Sequence, residues 1–287
     1  MAEIRVKAYA KLNLTLDILR RRSDGYHDLR MVMQSISLHD TVFIRETGNQ
    51  DIEVSNSVAY LPCDRSNLAY RAAEVFFDAT GIENPGIRIE IDKVIPVCAG
   101  MAGGSSDAAA VLRGLRELYA PDISIACLCK IGEQVGSDVP YCVFGGTALA
   151  EGRGEILTRL PSISDCWVVL CKPPFPVSTP ELFSCVQTKR LICHPDTKGM
   201  IQSLGEKDLP GVLRRIYNVF EEVLPDKYDE VYSIKSRLMD LGALSACMTG
   251  SGPTVFGIFT ERAAAETAMK SMKEGYEQTY LASMIHA

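Results

Sequence analysis

Residues 95–110 read IPVCAGMAGGSSDAAA, and past Cys98 only Met101 carries a long side chain. A helix N-terminus presents unpaired N–H groups and about half a positive charge, so it holds an anion wherever side chains leave the approach open. Gly100, Gly103 and Gly104 leave it open, and Ser105 and Ser106 bring hydroxyls to the same place, with Ser106 as a candidate magnesium ligand. The same residues also suit a tight turn whose serines cap a helix. Neither common nucleotide-loop spacing is met, since no G-K-[ST] follows and G-x-G-x-x-G is absent. Any lysine that assists phosphate chemistry must come from another segment.

Lys11 is such a lysine: in AYAKLNLTL it stands among apolar neighbours, an odd setting for a merely solvating charge. Asp138, in GSDVPY, is suited either to accept a hydroxyl proton or to form a turn beside Gly136 and Pro140. A third segment, TGSGPTVFGIF at 249–259, reads equally as a close backbone approach between strands and as a hairpin loop.

These residues need elements to hold them. Residues 4–19 alternate loosely, with Leu12, Leu14 and Leu16 on one face and Lys11, Asn13 and Thr15 on the other, which predicts a half-buried strand. RRSDGYH at 21–27 is a turn signal, and an apolar stretch over 31–38 follows it. Helical spacing over 67–80 closes at Gly81, and Ile87, Ile89 and Ile91 alternate along a strand that ends at Lys93. A helix over 105–119 comes next, with serine or aspartate available to cap its first turn, so strand, glycine loop and helix follow in order. Another helix spans 124–135, after which Gly145 and Gly146 mark a bend between extended segments. CWVVLC at 166–171 predicts a buried strand, and KPPFPVSTP an extended one. Helices are expected over 180–187, 209–223, 229–241 and 261–273, with strands in ALSACMTGSGPTVFGIF and near the end. The change of character near 155–165 predicts two α+β domains, 1–158 and 159–287.

Composition narrows the classes. Hydrophobic residues at 47% and charged residues at 23% fit a globular chain, and 287 residues are enough for two domains. A net charge of −6, with residues 20–22 as the densest basic run, argues against a nucleic-acid partner. The cysteines show no C-x-x-C spacing, so reduced thiols are expected, and no zinc site at Cys127 and Cys129 or at Cys193 and His194. No apolar run approaches the roughly 20 residues of a membrane span, and Glu3, Arg5, Lys7 and Lys11 interrupt any signal-peptide core. A soluble, cytoplasmic protein that acts on a small molecule is expected.

PVCAGMAGGSSDAAA, with AKLNLTL before it and GSDVPY and TGSGPTVF after it, resembles the three ordered motifs of the galactokinase, homoserine kinase, mevalonate kinase and phosphomevalonate kinase superfamily. RSDGYH, AGGSSDAA, GRGE and STPELF resemble, more narrowly, the 4-diphosphocytidyl-2-C-methyl-D-erythritol kinases over nearly the whole chain. The resemblance implies a two-domain α+β small-molecule kinase with its active site in the cleft between domains. ATP and magnesium are the implied cofactors, the acceptor is the 2-hydroxyl of a cytidine-bearing alcohol, and the protein is a monomer or weak homodimer. Gly100, Met101, Ala102, Gly103, Gly104, Ser105 and Ser106 would wrap the ATP phosphates, with Asn67, Lys93 and Pro96 toward the adenine. Asp138 matches the catalytic aspartate and Lys11 the lysine paired with it. Tyr26, His27 and Phe183 match residues that hold cytosine, and Asn13 and Thr179 lie near the substrate. Gly250, Ser251 and Gly252 match the third motif, beside the phosphates. The chain departs from some relatives at Met101, Ala102 and Asp107, where Leu, Gly and Asn occur, and Ala102 lacks glycine's freedom at positive φ. RSDGYH and STPELF speak against a mevalonate or homoserine kinase, and Lys11 with Asp138 against an inactive nucleotide-binding regulator.

Overall fold

The computed structural model describes residues 2–188 and 191–286, and the chain forms two compact units that interleave in sequence. The first takes the chain up to Ala10, His39–Val97 and Ala102–Gly145; the second takes Lys11–Leu38, Cys98–Met101 and the chain from Gly146 on. Two long strands cause the interleaving. β1 (Glu3–Arg21) and β2 (His27–Glu46) each give one end to each unit. A strand of that length spans about 60 Å, more than one small core can cover. The chain-order boundary expected near 155–165 falls inside the second unit, close to the end of β6 (Ile156–Arg159).

In the first unit, the ends of β1 and β2 continue through β4 (Ile87–Asp92) to β3 (Ile52–Asn56). β4 runs antiparallel to β2, with Val42 opposite Ile91 and Ile44 opposite Ile89. Its alternation is the expected one: Ile87, Ile89 and Ile91 are buried, and Arg88, Glu90 and Asp92 are exposed. Four helices accompany it, α1 (Leu68–Thr80), α2 (Gly103–Tyr119), α3 (Ile125–Glu133) and α4 (Val139–Phe144). α1 starts at an Asn67 cap and stops at Gly81, as the pattern predicts. α2 buries Ala108, Ala109 and Ala110 completely, and these short side chains let α1 and α4 pack closely on it. α4 stands where an extended segment was expected. Pro140 fits a first helical turn, where its missing N–H costs nothing, and residues 139–143 are all buried; six residues are too few to show a period.

In the second unit, the remaining lengths of β1 and β2 lie in the order β6-β5-β2-β1-β8, with β5 at Thr147–Gly152 and β8 at Tyr217–Asn218. A separate antiparallel sheet has the order β11-β7-β10-β9. Its strands are β7 (Trp167–Cys171), β9 (Ser245–Met248), β10 (Val255–Phe259) and β11 (Thr279–Ser283), covered by α8 (Glu230–Asp240) and α9 (Arg262–Lys273). α5 (Thr179–Cys185), α6 (Thr197–Glu206) and α7 (Leu209–Leu213) precede α8, and α6 was not anticipated.

Two expectations are corrected in this unit. The helix predicted over 209–223 breaks at β8, because residues 217–218 pair in parallel with Thr15 and Leu16 of β1. β1 itself is not half-buried: from Ala10 to Ile18 every residue is buried, the polar face included. That face finds its partners within the protein, as buried polar groups must.

Candidate active site

β4 delivers the chain to Lys93, and the glycine loop then takes left-handed backbone at Cys98 (φ 52), Gly100 (φ 72) and Ala102 (φ 59). An L-residue there costs on the order of 1–2 kcal/mol, so Ala102 stores strain at the cap of α2. Having no polar side chain, it makes no capping hydrogen bond. The expected serine cap is absent because Ser106 Oγ instead donates to the Tyr9 carbonyl at 2.6 Å, and Ser106 is 1% exposed. Thus neither Ala102 nor Ser106 places a polar side chain across the first turn of α2. Gly104 is exposed, Ser105 is half-buried, and a Cβ on Gly104 would meet only Leu68 Cδ1, at 3.5 Å. The residues fit an anion, for which this helix end supplies N–H donors and dipole charge.

Behind the loop, Lys93 is buried and already spoken for. Its Nζ donates to Asp40 Oδ2 at 2.5 Å and to Asp107 Oδ2 at 2.6 Å. Burial disfavours the ammonium charge, yet the carboxylates of Asp107 and Asp40 outweigh it and raise the lysine above its ordinary value. Burial, helped by the Asp40 charge and opposed by Lys93, pushes the Asp107 carboxyl up to about 8. Asn67 is likewise occupied, accepting from the Ala69 amide at 2.8 Å and donating to the Pro62 carbonyl at 2.7 Å. Pro96 is buried. Asp138 precedes α4 half-buried, and its side chain makes no capping hydrogen bond, so the ordinary structural role of an aspartate at that position goes unused.

In the second unit the loop tip meets the 249–252 segment backbone to backbone. A Cβ on Gly100 would lie 2.2 Å from the Thr249 carbonyl oxygen, and one on Gly250 would lie 2.6 Å from the Gly100 oxygen and 3.0 Å from Lys11 Nζ. Only glycine permits this approach at either position, and both readings of TGSG hold: the segment makes the close contact, and it is the hairpin loop between the antiparallel strands β9 and β10. Lys11 is 4% exposed; its amide donates to the Met101 carbonyl at 3.2 Å and its Nζ to Asn13 Oδ1 at 2.7 Å. The Asn13 amide donates to Thr249 Oγ1 at 3.1 Å. Asn218, which sequence reasoning missed, holds the far side of that segment by donating to the Met248 and Gly250 carbonyls, each at 2.8 Å. Thr179 and Ser251 share a hydroxyl contact of 2.6 Å.

His27 stacks on Phe183, with ring centroids 5.0 Å apart and planes 19° apart, and Phe220 meets Phe183 edge-on. Burial, then the Arg21 charge, lowers the His27 pKa, so near neutral pH its ring offers one donor and one acceptor. At a separation of 5.0 Å the two rings leave no room for a flat base between them. Tyr26 is exposed and lies under the Arg153 guanidinium, 5.5 Å from its ring centre, apart from the stack.

Unit 2 thus gathers Lys11, Asn13, Gly100, Met101, Thr179, Gly250, Ser251 and Gly252, and carries the His27–Phe183 stack. Unit 1 carries Asn67, Lys93, Pro96, Asp138 and residues 102–106. Asp40 and Asn218 also escaped the sequence reading, although a single aspartate inside the run LHDTV is a readable signal.

Residues 67–146 match the GHMP kinases N terminal domain, and residues 200–278 match the GHMP kinases C terminal domain. The chain is 46% identical over 282 residues to a 4-diphosphocytidyl-2-C-methyl-D-erythritol kinase of Clostridium tetani, covering 98% of this chain and 100% of that one. A crystal structure of 4-(cytidine 5'-diphospho)-2C-methyl-D-erythritol kinase superposes with a TM-score of 0.84 at 29% identity, covering 99% of this chain and 100% of the other. A homoserine kinase from Cytophaga hutchinsonii shares the fold, with a TM-score of 0.76 at 19% identity over 100% of this chain and 95% of that one.

Proposed function

The chain belongs to the GHMP kinases and, within them, to the 4-diphosphocytidyl-2-C-methyl-D-erythritol kinases, and from that membership we propose that it transfers the γ-phosphoryl group of ATP to the 2-hydroxyl of 4-diphosphocytidyl-2-C-methyl-D-erythritol, a step toward isoprenoid precursors. The observation that carries this reading is the approach of Gly100 to Gly250 beside the buried Lys11 ammonium.

Phosphoryl transfer asks the protein for alignment and for stabilisation of spread negative charge, and little covalent work. In the proposed scheme the N–H groups at the start of α2 hold nucleotide phosphates, and Lys11 adds positive charge where the group transfers. Asp138 accepts the hydroxyl proton or fixes its direction. Thr179 and Ser251 are assigned to the erythritol part, and Asn13, wholly buried and bonded to Lys11 and Thr249, supports them from behind. His27 and Phe183 offer a stacking surface to cytosine, with Tyr26 as the neighbouring aromatic, and Asn67 and Pro96 are assigned to the adenine side. Magnesium offsets phosphate charge when bound. Among the described residues no group of three or more His, Cys, Asp or Glu side chains could hold a metal ion. Ser106 is buried and engaged with Tyr9, so Ser105 is the serine of the loop that would be left to ligate magnesium.

The division of roles between residues 1–158 and 159–287 is part of the same proposal. So are a cytoplasmic location, a monomer or weak homodimer, and the lack of a nucleic-acid partner. Among the described residues no helix is long and apolar enough to cross a membrane.

The test is ADP release with ATP, magnesium and a panel of alcohols. Release is expected only with the diphosphocytidyl substrate; equal release with mevalonate or homoserine would reject the assignment. Asp138→Asn is expected to fold and to lose about 10²–10⁴-fold in kcat with ATP KM nearly unchanged, and near-normal turnover would remove Asp138 from the scheme.

A further inference from the structure

Lys93 stands immediately after β4, where the chain must leave the sheet and turn into the glycine loop. Thr41 of β2 pairs with Asp92 of β4, which brings Asp40 alongside that exit. Asp40 Oδ1 accepts from the amides of Val94 at 2.5 Å and Ile95 at 2.7 Å, while its Oδ2 takes the Lys93 ammonium. The same ammonium reaches Asp107, the fifth residue of α2. One lysine therefore ties the residues that enter the loop to the helix that leaves it.

The side chains of this cluster are closed off from solvent, at 5% exposure for Lys93, 0% for Asp40 and 6% for Asp107. The first residue of α2 lies over it: a Cβ on Gly103 would sit 3.4 Å from Lys93 Nζ and 3.2 Å from Ile95 Cγ2. Two of the ammonium's three protons are committed to carboxyl oxygens of Asp40 and Asp107, which leaves little of it to offer a nucleotide.

We propose that Lys93, Asp40 and Asp107 act as a buried clamp that sets the start of α2 against the residues leading into the glycine loop, which makes Lys93 a positioning residue for the nucleotide phosphates and not a ligand of the nucleotide. The inference rests on the nucleotide reading of α2. It differs from the role that resemblance assigns to Lys93, and it adds Asp40 and Asp107, which resemblance leaves without a role.

Two measurements test it on the full chain. In the first, Asp107→Ala cuts the link to α2 while leaving the Lys93–Asp40 pair, and Asp107→Asn keeps an acceptor in place. Asp107→Ala is expected to raise the ATP KM about tenfold, the size of one lost charged hydrogen bond, with the alcohol KM almost unmoved. Asp107→Asn restores most of the loss. Equal behaviour of the two variants, or parallel movement of both KM values, overturns the clamp. In the second, wild-type lysines are labelled with an amine-reactive reagent, with and without ADP and magnesium. Lys93 stays unlabelled in both conditions if it is clamped; labelling in the free protein that ADP suppresses makes it a nucleotide ligand. Labelling does not need turnover, so it still decides if the panel of alcohols yields no ADP, an outcome that rejects the kinase reading and leaves the clamp to stand or fall separately.

Discussion

Asp107 holds its carboxyl in a setting that solvent barely reaches, and among the described residues its Oδ1 has no hydrogen-bond partner. Such an oxygen favours the neutral acid, as does the Asp40 carboxylate beside it. The consequence for stability has a definite sign. The ordinary value is 3.8 and the folded value about 8, so between these pH values the unfolded chain gives up a proton that the folded chain keeps. The stabilisation is complete below the lower value, declines as pH rises toward about 8 and is gone above it. Asp107→Asn mimics the neutral acid without titrating. Its melting temperature relative to wild type is expected to climb between pH 5 and pH 8, as read by calorimetry, and a difference that stays constant with pH refutes this account of Asp107.

At the level of elements, the loop and the helix it feeds give two glycines opposite tasks. Gly100 has no space at all: its left-handed backbone and the Thr249 carbonyl both forbid a side chain, and no flexible neighbour can yield. Gly104 has space and helical backbone, so its lack of a side chain serves the approach of a ligand. Gly100→Ala should therefore lower stability and activity together. Gly104→Ala should gain about 0.5–1 kcal/mol of stability while the ATP KM rises. Thermal melts and ATP kinetics on the pair check this, and a destabilised Gly104→Ala counts against it. Much of this region was legible in the sequence, because α1 carries its period and both caps locally, and β4 and α2 carry their periods. What was not legible depends on distant partners. The polar face of β1 reads as solvent-facing until Thr249, 236 positions away, is seen to bind Asn13. Residues 217–218 read as helix until β1 takes them as a strand. The serines of the loop read as caps until Tyr9, 97 positions earlier, proves to take the Ser106 hydroxyl.

For the whole molecule, interleaving means that the second unit closes through the chain's last residues. β11 covers one edge of β7, Ile36 bridges Met284, the Ile285 amide donates to Ser35, and Gln34 Nε2 donates to the Ile285 carbonyl. A chain ending at Glu277 lacks all of these contacts and exposes the β7 edge to pairing with other chains. It is expected to aggregate and to show no cooperative melt of the second unit; a soluble, cooperatively melting truncation would contradict this. The closure also sets a clock on biosynthesis. Gln34 and Ile285 are separated by 251 positions, so at roughly 5–20 residues per second the ribosome takes on the order of ten to fifty seconds to supply the partner. Until then the Ile36–Met284 bridge and the hydrogen bonds of Ser35 and Gln34 to Ile285 cannot form, so this corner of the second unit closes late in synthesis although β5 has already paired with β2 at Gln34.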